Sequence, residues 1–114
     1  QTHHLINQAA LARMKPTAIL INTTRGGVVD QDALYAALRT GVIAAAGLDV
    51  TTPEPLPVDH PLLGLPNCVV LPHIGSATIA TRTRMALMAA ENLVAGVRGE
   101  TLPYPVSPKP AEAA

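Results

Sequence analysis

Three short aliphatic runs set the limits on what this chain can become. Ala18-Ile19-Leu20-Ile21, Ile43 to Leu48 and Cys68 to Leu71 carry no charge, and each gives way to a polar, glycine- or proline-rich cluster. An unbroken apolar run of this length fits a strand buried on both faces, the habit of parallel sheets. Between the first two runs the period becomes helical. Asp30 is placed as N-cap, Leu34, Ala37 and Leu38 fall on one face, Arg39 sits in the last turn and Gly41 suits a left-handed exit. A proline-rich connection joins the second run to the third. Strand, helix, strand, long connection, strand is a βαβ pattern of the α/β class, whose crossovers are right-handed in nearly all cases.

Helical signals flank this centre. Asn7 reads as the N-cap of QAALARM, Ile6 and Leu11 occupy the positions of a hydrophobic staple, and Lys15 and Pro16 mark the stop. From Ala77 to Arg98 the period is again helical, with Met85, Met88, Ala89, Leu93 and Val97 on one face, Arg84, Glu91 and Arg98 on another, and Gly99 as the end. Either Ser76 or Thr78 caps it. The tail, with Pro103, Pro105, Pro108 and Pro110, reads as extended and as frayed at PAEAA. The architecture expected is the second half of an open α/β sheet followed by a long exit helix.

Length and charge narrow the field further. With 114 residues the chain can bury one core and no more. Eight basic residues balance eight acidic ones, so there is no electrostatic footprint for nucleic acid. One cysteine, Cys68, cannot close an internal disulfide and points to a reducing, cytoplasmic compartment. Residues 60–81 lack Asp, Glu, Lys and Arg, yet prolines interrupt them too often for a membrane span. No signal peptide is visible. The chain opens on Gln1 in a stretch that reads as mid-loop, so a piece of a larger protein is expected.

In open parallel sheets, ligands bind outside the carboxyl ends of the strands. Three clusters follow the three runs: Asn22-Thr23-Thr24-Arg25-Gly26-Gly27, then Asp49 to Pro55, then Pro72-His73-Ile74-Gly75-Ser76. A parallel sheet brings all three to one rim. Arg25 offers a planar fork that matches a carboxylate, against the simpler reading of a surface arginine beside two turn glycines. His73 can donate or accept a proton, and a carboxylate beside it, with Glu54 the candidate, would stabilise the imidazolium. The alternative is a hydrogen-bonded structural histidine. Pro53 and Pro55 restrict the backbone around Glu54. Asp49 ends a buried strand and needs a donor, either a backbone N–H or a ligand amide. No metal site is expected, since His3, His4 and His60 lack ligand spacing and one cysteine cannot build a thiolate site. No G-x-G-x-x-G is present, so any phosphate loop lies upstream of Gln1.

The segments THHLIN, MKPTAILINTTRGGVVD, IAAAGLDVTTPEPLP, HPLLGLPNCVVLPHIGSAT and ENLVAGVRGE resemble the D-isomer specific 2-hydroxyacid dehydrogenases, in order and over nearly the whole chain. The resemblance lies nearest to the branch that reduces glyoxylate and hydroxypyruvate. It implies a Rossmann-like domain, of which residues 1–77 are the C-terminal part. Residues 78–114 are then a crossover helix and tail returning to an absent substrate domain.

By the same resemblance, Arg25 binds the substrate carboxylate and helps polarise the keto oxygen. His73 gives that oxygen a proton, and Glu54 keeps His73 protonated. Asp49 holds the nicotinamide carboxamide, Thr23 and Gly75 line the cofactor beside Arg25 and His73, and Ser76 joins Arg25 and His73 around the substrate. The implied cofactor is NADP or NAD, with a lean to NADP. The implied reaction is hydride transfer to a small 2-keto acid, giving a D-2-hydroxy acid. A homodimer is implied for the full-length protein, and the 114 residues alone are expected to be inactive. Phosphoglycerate- or lactate-type dehydrogenases, and a nucleotide-sensing corepressor on the same fold, are the alternative readings.

Overall fold

A computed structural model gives the structure of the chain and describes residues 2–106. Pro108, Pro110 and the PAEAA end lie outside the described residues. Helix α1 spans Gln8–Ala12, strand β1 Ile19–Asn22, helix α2 Gln31–Arg39, strand β2 Ala45–Leu48, strand β3 Cys68–Val70 and helix α3 Ile79–Arg98. Short 3-10 turns cover Gly26–Val28 and Pro61–Gly64. The chain divides into two compact units between Gly75 and Ser76.

The first unit is a three-stranded parallel sheet in the order β1-β2-β3, with Asn22 opposite Leu48 and Leu48 opposite Val70. This register lines up the carboxyl ends of all three strands. Each side chain along a strand points to alternate faces, and here the two faces differ. Leu20, Ala46 and Cys68 share the inner face, which packs on Leu34 and Leu38 of α2, Leu11 of α1, Ile43 and Leu62. Ile19, Ile21 and Val69 share the other, and they are 65%, 65% and 59% exposed. The expectation of strands buried on both faces is therefore corrected. Both helices of this unit pack on the inner face, and the outer one has no helix of the unit over it.

Local signals fixed the helix ends. Asn7 caps α1 through its side chain to the Ala10 N–H, and Asp30 caps α2 to the Ala33 N–H at 3.0 Å. Gly41 takes the left-handed exit of α2 at φ 74°. Helix α1 stops at Ala12, so Lys15 falls outside its last turn, contrary to the reading of the sequence. The chain before α1 is tied down by backbone bonds from the N–H groups of His4 and Ile6 to the carbonyls of Gly27 and Val28.

The second unit is α3 with the segment that follows it. Thr78, rather than Ser76, is the N-cap, accepting from the Thr81 N–H, and Gly99 closes the helix in the left-handed region at φ 70°. The apolar face read from the sequence is largely exposed. Met85, Leu93 and Val97 are 55%, 69% and 80% exposed, and Ala95 is the buried hydrophobic residue of the helix. The reason is local: α3 is packed within its unit by the returning segment, where Asn92 donates to the Tyr104 carbonyl and accepts from the Tyr104 N–H. Arg84 stacks over the Tyr104 ring and donates to its hydroxyl. No helix among the described residues is long and apolar enough to cross a membrane.

Candidate active site

The loops that leave the three strands touch one another in sequence along the rim. The first begins at Asn22, which is buried at the end of β1. Its amide donates to the Arg25 carbonyl, and its side-chain oxygen accepts from both the N–H and the hydroxyl of Thr24. One side chain thus winds Thr23-Thr24-Arg25 into a tight polar turn. Arg25 is exposed, extended in backbone (φ −146°), and its guanidinium donates to the neighbouring Thr24 carbonyl at 2.7 Å. Among the described residues it has no carboxylate partner. A cation held at a strand end without an acid beside it is available to an anionic ligand.

Gly26 seals the first loop against the second. A Cβ at Gly26 would stand 2.0 Å from the Thr51 carbonyl oxygen and 2.5 Å from the Thr52 hydroxyl. Only a residue without a side chain permits that approach. Thr51 is buried, and its hydroxyl donates to the Pro53 carbonyl, which turns the loop toward Glu54. The peptide bonds before Pro53 and Pro55 are both cis.

The second loop is joined to the third at two points. Asp49 is buried at the end of β2, and its two carboxylate oxygens accept the N–H groups of Ile74 and Gly75, each at 2.8 Å. Of the two donors considered for Asp49, the backbone supplies both bonds seen. A carboxylate has about four acceptor positions, so capacity for a further donor remains. Glu54 is the second junction. Its Oε1 lies 2.6 Å from Nδ1 of His73, a contact short enough for a charge-assisted hydrogen bond in which the ring donates. Both side chains are about half exposed, so water screens the pair.

His73 also stands out in its backbone. Its φ of 54° lies in the left-handed region, which a non-glycine residue rarely occupies. The bonds from Ile74 and Gly75 to Asp49 begin at the very next residue and hold that turn. Strain kept in place by surrounding bonds is characteristic of functional sites.

The rim therefore joins His73 to Glu54 by their side chains, fixes the His73 turn on Asp49, and sets Arg25 on the adjacent loop. Thr23 is exposed on the Arg25 turn, and Gly75 lies against Asp49. Ser76 is exposed and belongs to the second unit. Elsewhere, His60 accepts from the Leu62 N–H and caps a 3-10 turn, while His3 stacks on His4. Among the described residues no group of three or more His, Cys, Asp or Glu side chains is placed to hold a metal ion.

Reading the strand ends missed three residues that build this rim. Asn22 had a signal, an Asx residue between an apolar run and two threonines. Thr51 and Gln31 had none. The Gln31 amide donates to the Thr52 carbonyl at 2.6 Å and accepts from the Thr52 N–H at 2.8 Å, twenty-one positions along the chain.

Comparison with known proteins bears on the whole chain. Residues 1–75 match the family model of the D-isomer specific 2-hydroxyacid dehydrogenase, NAD binding domain. A human glyoxylate reductase/hydroxypyruvate reductase is 63% identical over 102 residues, which is 90% of this chain and 31% of that protein. The crystal structure of a Thermus thermophilus protein superposes with a TM-score of 0.89 at 57% identity, over 93% of this chain and 34% of the other. An NADPH-dependent glyoxylate/hydroxypyruvate reductase from Sinorhizobium meliloti, solved with NADP and malonate, superposes with a TM-score of 0.84 at 40% identity over 93% of this chain and 33% of the other. The chain thus spans about a third of the length of the relatives it matches. It belongs to the D-isomer specific 2-hydroxyacid dehydrogenases, and its first 75 residues are part of their NAD-binding domain.

Proposed function

We propose that this chain is the C-terminal part of an NAD(P)-dependent reductase that converts small 2-keto acids, glyoxylate and hydroxypyruvate among them, to D-2-hydroxy acids. The observation that carries the reading is the 2.6 Å contact between His73 and Glu54 on the rim that also bears Arg25. A keto acid presents a carboxylate and, one carbon away, a carbonyl. Arg25 binds the first through its fork and draws electron density from the second. His73, oriented by the Glu54 carboxylate on Nδ1, gives a proton from its other ring nitrogen to the carbonyl oxygen as charge develops there.

When bound, the nicotinamide supplies the hydride. The residues present fit that group. Asp49 keeps acceptor capacity for a carboxamide N–H beyond its two backbone bonds, Gly75 lies against that carboxylate, and Thr23 is exposed on the neighbouring loop. NADP is the favoured form, in line with the NADPH-dependent relative. Residues 1–77 are assigned to the dinucleotide-binding domain and residues 78–114 to the crossover helix and tail toward a substrate domain. A homodimer follows from the resemblance, and a cytoplasmic location rests on the unpaired Cys68.

The test is NADPH oxidation by the full-length protein with glyoxylate and with hydroxypyruvate. Turnover with either is expected, and none from the 114 residues alone. Cofactor binding without turnover would instead favour a nucleotide-sensing protein. Arg25→Lys keeps the charge and loses the fork, and is expected to lower kcat/KM by ~10²-fold or more. Glu54→Gln removes the carboxylate that accepts from the His73 ring. It is expected to lower kcat by about tenfold or more, and an undiminished kcat would rule out the pairing.

A further inference from the structure

We infer that Gln31, which lies outside the loops that carry the chemistry, is a positioning residue for Glu54. The inference rests on the proposed role of the Glu54–His73 pair. Gln31 is the first residue of α2, and its amide meets both backbone polar groups of a single residue, Thr52. A primary amide is the side-chain group that can satisfy a peptide N–H and its own residue's carbonyl together, because it offers a donor and an acceptor side by side in one plane. Flipping the amide would set donor against donor and acceptor against acceptor, so this pairing fixes its orientation.

Glu54 is two residues beyond the clamped Thr52. Glu54 therefore lies within about 7 Å of Thr52 along the chain, so an error in placing Thr52 is carried almost undiminished to the carboxylate. The contact with His73 has little room for such error, since a hydrogen bond at 2.6 Å weakens steeply with distance and angle. Within the loop, Thr51 fixes only the Pro53 carbonyl, two residues along the same segment. The clamp from Gln31 ties the loop to a separate, packed element, the helix whose Leu34 and Leu38 sit in the core. Arg25, by contrast, has its own anchor in Asn22, which holds its turn. Gln31 therefore acts chiefly on the proton-donating half of the site.

That division sets the test, a double-mutant cycle in the full-length reductase with NADPH and glyoxylate. Gln31→Met removes both bonds at similar volume, and Gln31→Glu keeps the acceptor and loses the donor. Gln31→Met is expected to lower kcat about tenfold while KM for glyoxylate stays within about twofold, with Gln31→Glu between it and the parent. On the Glu54→Gln background the same change is expected to cost less than about twofold, since there is no longer a carboxylate to place. If Gln31→Met reduces the folded fraction in a circular-dichroism melt, Gln31→Glu carries the cycle instead. Parent-like kcat, or a loss of equal size with and without Glu54, overturns the inference while leaving the proposed function standing. A Glu54→Gln enzyme with undiminished rate overturns both.

Discussion

The two units of the chain are built from the same aliphatic residues and the same helix-ending devices, yet only one of them makes a core. In the first, nine buried residues from Leu11 to Leu62 close into a single cluster. In the second, a twenty-residue helix buries Ala95. Capping does not account for the contrast. Asp30 and Thr78 cap α2 and α3 alike, and Gly41 and Gly99 end them in the same left-handed geometry. Each helix even uses a side-chain amide to clamp one residue's peptide groups, Gln31 on Thr52 and Asn92 on Tyr104. Local chemistry decides where a helix starts and stops, and burial depends on what lies opposite its apolar side. The first unit supplies an opposing layer in its sheet, whereas among the described residues of its own unit α3 is met by the short returning segment.

The sharpest way to break this comparison is a matched pair of truncations. Leu34 is fully buried between α2 and the sheet, so Leu34→Ala leaves a cavity as well as losing apolar contact. It is expected to destabilise the protein by about 2–5 kcal/mol in urea unfolding. Val97, four-fifths exposed on α3, is expected to change stability by less than about 0.5 kcal/mol on truncation to alanine. Equal losses at the two positions would mean that the units do not differ in the way described.

The same contrast explains what could be read from the residues alone. The strands, the α2 caps and the Arg25, Asp49, Glu54 and His73 clusters were visible because each depends on short-range pattern or on the rule that parallel strand ends share a rim. Ile19, Ile21 and Val69 misled, since an apolar side chain says that it prefers cover and nothing about which segment provides it. Met85, Leu93 and Val97 form an apolar face that is exposed for the same reason. Gln31 and Thr51 were invisible because their partners are backbone groups, brought within reach by the path of a loop.

A smaller effect tests how tightly the first unit holds its rim. Gly26→Ala forces a methyl group toward the Thr51 carbonyl, and that neighbour is backbone and cannot rotate away. The Arg25 loop and the Glu54 loop must separate. The expected cost is about 1–3 kcal/mol of stability, typical of an overfilled contact. If the full-length protein is the reductase proposed above, its kcat/KM is expected to fall further than stability, because both halves of the site move. A stable variant with parental kcat/KM would show that the close approach at Gly26 is not needed for the site.

The mildest probe uses Cys68, at the start of β3 on the inner face of the sheet. Burial raises its thiol pKa above the ordinary value, because the thiolate loses hydration that the neutral thiol does not need. At a given mildly alkaline pH the folded protein then holds less thiolate than the unfolded chain, and thiolate is the form that reacts. Iodoacetamide at about pH 8 is expected to label Cys68 roughly threefold or more slowly in native protein than in urea. The sign of the linkage follows. The neutral thiol's contribution to stability is fully present below the unfolded-state value and is lost as pH rises through the higher folded-state value. Leu34→Ala, by loosening the layer against this face, is expected to bring the native labelling rate toward the unfolded one, while Val97→Ala leaves it alone. Labelling that responds equally to both substitutions would place Cys68, and with it the sheet, under the control of both units rather than one.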